Sequence, residues 1–410
     1  MIRFSADWIL PISDAPIGRG VVAIDEGRIV SVETGGSAAD VALGRVAVLP
    51  GLVNAHAHLE LSYLHRRIPP AERFLDWVRP MLAARRERPA VDDKAILHAA
   101  QEGIRQARAA GTALIGDVTN TLVTVPLLRE AEMAACVFHE LIGFAGLNAD
   151  EQVSNARRAI ESLPVVADIR FSLAPHAPYS VSPALFSAIR HALDDLGGVV
   201  STVHVGESPE EIEFLKKGTG PWRTLLEELG VWNEAWQAPQ SSPVEYLSDI
   251  GFLDATVIAV HGVQLEGTDL DRLRALGVTL ASCPRSNRYV GVGSPPLEVF
   301  YAMDVEVAFG TDSLASVEDL NMFAELAEAR RIAPKVSARA LLRSATLAGA
   351  TALGFGDHFG SIEPGKRAAL IAVRVPEGVD DVEEYLVSGI EPSAIEWLIS
   401  TSNTQLPTPR

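Results

Sequence analysis

The stretch PGLVNAHAHLELS, Pro50 to Ser62, decides how the chain is read. An apolar run, Ala47 to Val53, leads into it and ends on two histidines, His56 and His58, one residue apart. Residues i and i+2 of a strand share a face. A strand built to be buried therefore finishes with two imidazoles side by side. Two such rings can both reach one metal ion at about 2.0–2.1 Å per Zn–N bond.

The same design recurs downstream. Seven more short apolar runs follow: ALIGDVT, CVFHELIGF, IRFSLAPH, VVSTVHVGE, TVIAVHGV, VTLASCP and VEVAFGTD. Segments with helical apolar spacing lie between them, among them AILHAAQEGIRQARAAG, LLREAEMAA, PALFSAIRHALDDL and LNMFAELAEARR. Near-continuously apolar strands alternating with helices predict a parallel sheet covered on both faces. Eight such units predict an α/β fold, a (β/α)8 TIM-like barrel. The two chain ends read differently. GVVAIDEGRIVSVET places two β-rich runs around Asp25-Glu26-Gly27, a hairpin pattern, and GSIEPGKRAALIAVRV reads as turn then strand. We expect a small β-sandwich domain built from residues 1–50 and 360–410, and a barrel over residues 51–359. The connection from Leu215 to Asp254, with Trp222, Trp232, Trp236 and several prolines, reads as an elaborated loop over the barrel mouth or a packed surface excursion.

Chemistry in a barrel of this type sits at the C-terminal ends of the strands. His56 and His58 end the first run, His176 the fourth, His204 the fifth with Glu207 three residues on, His261 the sixth and Asp312 the eighth. His139 and Glu140 lie in the third. Three or four protein ligands with one position left for water is the pattern of a catalytic metal site. Each element has an alternative taken alone. His204 and His261 also read as core histidines bonded to a backbone carbonyl, and Asp312 as a turn or helix cap.

Composition limits the partners. The 410 residues carry 53 acidic and 35 basic side chains, a net charge of −18, which repels phosphate backbones and argues against nucleic acid. No uncharged apolar run is long enough to span a bilayer, so no membrane partner is expected. Two scattered cysteines, Cys136 and Cys283, form no disulfide framework. They fit a reduced, cytoplasmic setting.

The motifs PGLVNAHAHLELS, APHAPYSVS, VHVGE, VHGV, SCPRSN and FGTDS occur in the order found in the amidohydrolase superfamily, and the chain resembles its deaminase and chlorohydrolase branch. That resemblance implies one divalent metal, zinc or in some members iron, held by His56, His58, His204 and Asp312. It implies that Glu207 shuttles protons, that His261 and Asp312 hold and deprotonate a water, and that His176 touches a small heteroaromatic substrate. No lysine lies between Lys94 and Lys216, which removes the bridging residue of dinuclear members. The late pattern reads Gly365-Lys366-Arg367-Ala368-Ala369-Leu370, without the acid that the family usually carries there. HLELS, FLDWV (Phe74 to Val78) and CPRSNRYVGVGSPPLE look like the aminodeoxyfutalosine deaminase group of the futalosine route to menaquinone. Those substrates carry an adenine and a benzoate carboxylate. Arg285 and Arg288 are the expected carboxylate fork, and Glu60, Glu140 and Asn287 are further expected pocket residues. Family members often form dimers or larger assemblies; a homodimer is an expectation that no legible interface supports.

Overall fold

A computed structural model describes residues 1–35, 38–88 and 90–398. The chain begins with β1 (Ile2–Ile9), β2 (Ile17–Asp25), β3 (Arg28–Glu33), β4 (Val41–Ala42) and β5 (Val46–Pro50). Eight strands follow at the positions of the eight apolar runs. They are β6 (Leu52–Ala57), β7 (Thr112–Thr119), β8 (Ala134–Leu141), β9 (Ile169–Pro175), β10 (Ser201–Val205), β11 (Val257–His261), β12 (Thr279–Ser282) and β13 (Val307–Phe309). The chain closes with β14 (Leu370–Arg374) and β15 (Ile395–Trp397).

The eight central strands form two four-stranded parallel sheets, β6-β7-β8-β9 and β10-β11-β12-β13. Every residue of β6, β7, β10 and β11 is buried, as strands covered on both faces must be. Hydrogen bonds cross both seams between the sheets. The His204 amide donates to the His176 carbonyl at 2.9 Å, and the Asp312 amide donates to the His56 carbonyl at 3.0 Å. Gly310 makes the second seam possible. A Cβ there would stand 2.7 Å from the His56 carbonyl oxygen and 2.9 Å from its amide nitrogen.

Both chain ends feed one seven-stranded sheet, in the order β15-β14-β5-β1-β2-β3 with β4 beside β1. Successive side chains of its central strands point to opposite faces, and both faces are covered. Val48, Leu370 and Ala372 point into a local core with Phe4, Val22 and Ile24. Ala47, Leu49, Ile371 and Val373 point the other way, into the main core. The expected hairpin is present: Asp25 pairs with Arg28, and Glu26 and Gly27 both take positive φ, 47° and 74°, as a two-residue turn matching strand twist requires. The tail of the expected terminal domain, residues 399–410, lies outside the described residues.

One sequence expectation needs correction. The segment LLREAEMAA is helical only through Glu130, in the helix Val125–Glu130, because β8 already begins at Ala134. The 215–254 connection carries the end of the helix Pro209–Lys217 and two short helices, Pro221–Glu228 and Pro243–Asp249. Pro221 and Pro243 open helices rather than break them, since the first helical position needs no amide donor. Trp232 stacks on Phe144 at 5.5 Å and Trp236 on Phe214 at 4.6 Å, which docks the connection onto the rest of the fold. Among the described residues no helix is long and apolar enough to cross a membrane. Cys136 and Cys283 are buried and unpaired.

Candidate active site

The strand ends bring the expected histidines into one cluster. His56 is completely buried, and among the described residues neither of its ring nitrogens has a hydrogen-bond partner. Two orphaned buried nitrogens are costly unless something else satisfies them. His58 Nε2 lies 3.4 Å from His204 Nε2 and 3.7 Å from Asp312 Oδ1; His56 Nε2 lies 4.0 Å from that same oxygen. His204 Nδ1 donates to the His176 carbonyl at 2.8 Å. This fixes the tautomer and leaves Nε2 as a ligand atom. Ligand atoms of His56, His58 and Asp312, and of His56, His204 and His261, lie within 4.8 Å of one another. These donors fit one divalent cation with N and O ligands.

Beside this cluster, Glu207 Oε1 lies 3.6 Å from His261 Nε2. The other face of the His261 ring is held by the Asn287 carboxamide, 2.9 Å from Nδ1. Ser286 donates to Asp312 Oδ2 at 2.6 Å. His261 and Asp312 both adopt positive φ, 76° and 62°. A left-handed backbone at a side chain other than glycine is strain that clusters at functional sites. Glu207 is anchored through its backbone. Both oxygens of the buried Glu211 carboxylate accept amides, that of Gly206 at 3.0 Å and that of Glu207 at 2.9 Å.

Burial governs the protonation states. It pulls the His176 and His204 imidazoles down to about 3, with neighbouring histidines adding to the effect. His56 and His261 are likewise held well below the ordinary imidazole range. These four imidazoles are thus held neutral, as ligation requires. Burial and then the facing Asp312 charge hold the Glu207 carboxyl well above the carboxylate range, so it keeps a proton to give.

The cluster forms the floor of a cavity of about 320 Å³. One wall is a single face of the helix Phe74–Arg86: Phe74, Trp77, Val78, Met81, Leu82 and Arg85. Their spacing of three and four residues is that of one helix face. Opposite, Trp222 stacks on Tyr179 at 3.8 Å. His176 and Glu140 line the cavity as expected. Ser180 Oγ sits 2.6 Å from His176 Nδ1 and donates onward to the Ala177 carbonyl, which leaves His176 Nε2 unprotonated. Glu140 accepts from Asn120 at 3.0 Å and stands 3.7 Å from His204.

Four expected pocket residues fall elsewhere. Glu60 is not on the cavity wall; it accepts four bonds from Thr119, Asn120 and Thr121, because the chain after His58 turns into a 3-10 segment, Leu59–Leu64. Asn287 is completely buried behind His261. Arg285 and Arg288 sit on the outer side of the short helix Pro284–Tyr289. Arg285 is paired with Asp319 and Glu325, and Arg288 with Glu328. Ser286 and Glu211 were missed. Glu211 follows Glu207 at the four-residue spacing of a helix turn, and Ser286 sits inside SCPRSN; both spacings are visible in the sequence.

Comparison with known proteins agrees with this geometry. Residues 47–391 match the model of the amidohydrolase family. The chain is 31% identical over 322 residues to an aminodeoxyfutalosine deaminase of Deinococcus radiodurans, covering 75% of this chain and 73% of that one. It is 29% identical to a 5-methylthioadenosine/S-adenosylhomocysteine deaminase of Moorella thermoacetica, covering 95% and 90%. Its fold superposes with a TM-score of 0.82 on a zinc-bound adenosine deaminase from Xanthomonas campestris, 26% identical, covering 96% and 90% of the two chains. The strand-end cluster and the match over most of its length agree: the chain belongs to the amidohydrolase family and is a hydrolase of carbon–nitrogen bonds in cyclic amidines.

Proposed function

We propose that the chain deaminates an adenine-type nucleoside, with aminodeoxyfutalosine as the best-fitting substrate and futalosine and ammonia as products. In this reading the eight strands make a closed (β/α)8 barrel over residues 51–359, and the terminal sheet is the β-sandwich domain of residues 1–50 and 360–410. The observation that carries it is the Glu207–His261 pair, 3.6 Å apart, beside four convergent ligand groups at the floor of an apolar cavity.

His56, His58, His204 and Asp312 would hold one divalent metal, zinc by the chemistry of three imidazoles and a carboxylate, with iron as the alternative. When bound, such a cation lowers the pKa of water and polarises the group under attack. His261 and Asp312 orient the attacking water and accept its proton. The water oxygen bonds to the amidine carbon and Glu207 protonates the adjacent ring nitrogen; the exocyclic carbon–nitrogen bond then breaks as the amino group takes the proton first removed from the water and leaves as ammonia, and the hydroxyl proton passes to Glu207 as the ring carbonyl forms. His176 and Glu140 face the sugar side. A second reading, methylthioadenosine as the substrate, is favoured by the apolar helix wall. Ammonia release from aminodeoxyfutalosine, methylthioadenosine, adenosine, guanine and cytosine, and chloride release from a chlorotriazine, by zinc-loaded protein test both. Turnover confined to adenine nucleosides supports the proposal; turnover confined to the triazine or the free bases overturns it.

A further inference from the structure

The cavity wall has one feature that the deaminase chemistry does not use. Among the described residues that line the cavity, Arg85 alone carries a permanent positive charge. It ends the stripe that starts at Phe74, in the last turn of its helix. At 1.5 Å per residue the stripe is roughly 16 Å long, longer than a nucleobase and sugar need. Apart from Arg85 the stripe is apolar, with aromatic rings at its far end.

Arg85 is held but not spent. Its Nη2 donates to Asn120 Oδ1 at 3.1 Å and lies 3.6 Å from Glu60 Oε1. Glu60 already accepts four bonds from Thr119, Asn120 and Thr121. Among the described residues Nη1 and Nε have no partner. The side chain is 31% exposed, reachable yet partly shielded from solvent. A guanidinium fixed at one nitrogen and free at the others presents a fork suited to a planar anion. Asn120 also donates to Glu140, so the fork is tied to the same strand ends that build the catalytic floor.

We propose that Arg85 is the specificity residue of this site, selecting adenine nucleosides whose tail ends in a carboxylate. The apolar part of that tail lies along the Phe74–Leu82 stripe, and the carboxylate meets the guanidinium fork. This inference rests on the deaminase reading and narrows its substrate class.

The test compares kcat/KM of wild type, Arg85→Met and Arg85→Lys on two pairs of substrates. Methylthioadenosine and 5′-deoxyadenosine have neutral tails; S-adenosylhomocysteine and aminodeoxyfutalosine carry a carboxylate. Adenosine 5′-monophosphate tests a phosphate instead. Wild type is expected to prefer a carboxylated substrate. In Arg85→Met the ratio of carboxylated to neutral kcat/KM falls roughly 10- to 100-fold, the range for a hydrogen bond to a charged group, mostly through KM. Arg85→Lys, which keeps charge but loses the fork, falls between. Arg85 as a mere tether of its helix predicts equal losses on both pairs and a lower melting temperature, and that result overturns the proposal. So does a wild-type preference for the monophosphate or for neutral tails. Wild type inactive on every nucleoside overturns the deaminase reading and this inference with it; an unchanged ratio in an active enzyme overturns the inference alone.

Discussion

Ser286 and Asn287 are consecutive residues of one short helix, and each holds a different side chain of the candidate site: Ser286 donates to Asp312 at 2.6 Å, and Asn287 pairs with His261 at 2.9 Å. Removing such supporting partners typically costs about 10–100-fold in metal affinity or activity. The two substitutions should separate. Ser286→Ala should weaken metal binding by that factor in a chelator competition. Asn287→Ala should keep the metal and lose kcat. Identical losses of both properties in both variants would refute the division of labour.

Glu207→Gln should lower kcat at least ~100-fold, as loss of a general acid does, with metal content unchanged by atomic absorption. Near-native turnover would remove Glu207 from the mechanism.

Glu211 acts on Glu207 through the backbone, so Glu211→Gln should lower kcat about 10- to 100-fold, as small misplacements of a reacting group do, and leave KM in place. It should also melt earlier, since at least one buried amide is left without an acceptor at about 1–3 kcal/mol. A lower melting temperature with unaltered kcat would confine Glu211 to stability.

The pH dependence of the metal-free protein follows from the neutral histidines. His176 and His204 titrate near 3 when folded, against 6.5 for a free imidazole. Between those values the unfolded chain binds more protons than the fold. Their contribution is therefore complete above pH 6.5 and is lost as pH falls towards 3. Scanning calorimetry of metal-free protein from pH 8 to pH 4 should show the melting temperature dropping below about pH 6.5. His176→Asn should flatten that drop. A melting temperature that rises on acidification would contradict the buried, neutral cluster.

Gly310→Ala tests the seam between the sheets. The added Cβ meets His56 backbone at 2.7–2.9 Å, and overpacking of this kind costs about 1–3 kcal/mol. The variant should melt earlier and bind metal more weakly, because both the seam and a ligand are displaced together. Equal metal affinity in the variant would show that His56 tolerates the shift.

The strands and the chemistry-bearing strand ends were legible for a physical reason. A buried parallel strand must be apolar almost throughout, so a histidine or acid at its end stands out, as His56, His204, His261 and Asp312 do. What was illegible depended on direction. Arg285 and Arg288 share the outer face of their helix, while Ser286 and Asn287 turn inward, and no local pattern in SCPRSN tells the two faces apart. Glu60 follows His58 by two residues, but the 3-10 turn carries it behind the wall. Arg85 belongs to the pocket only because its helix lies against the strand ends, a tertiary fact. Pro221 and Pro243 of the 215–254 connection open helices, while Pro239 lies in irregular chain, and nothing local in the sequence tells the two uses apart.

The seam at His56 and Asp312 joins the first and last strands of the eight, so an ion held by these two residues ties together points separated by more than half of the chain. Such a tie stabilises the fold by as much as the ion's binding does, because its ligands converge only in the folded chain. The cofactor is then also a clasp. Peeling either terminal strand from the central sheets requires the ion to leave first. Resistance to unfolding, and to exchanging strands with a second copy, should accordingly be set by how slowly the ion departs as well as by how tightly it binds.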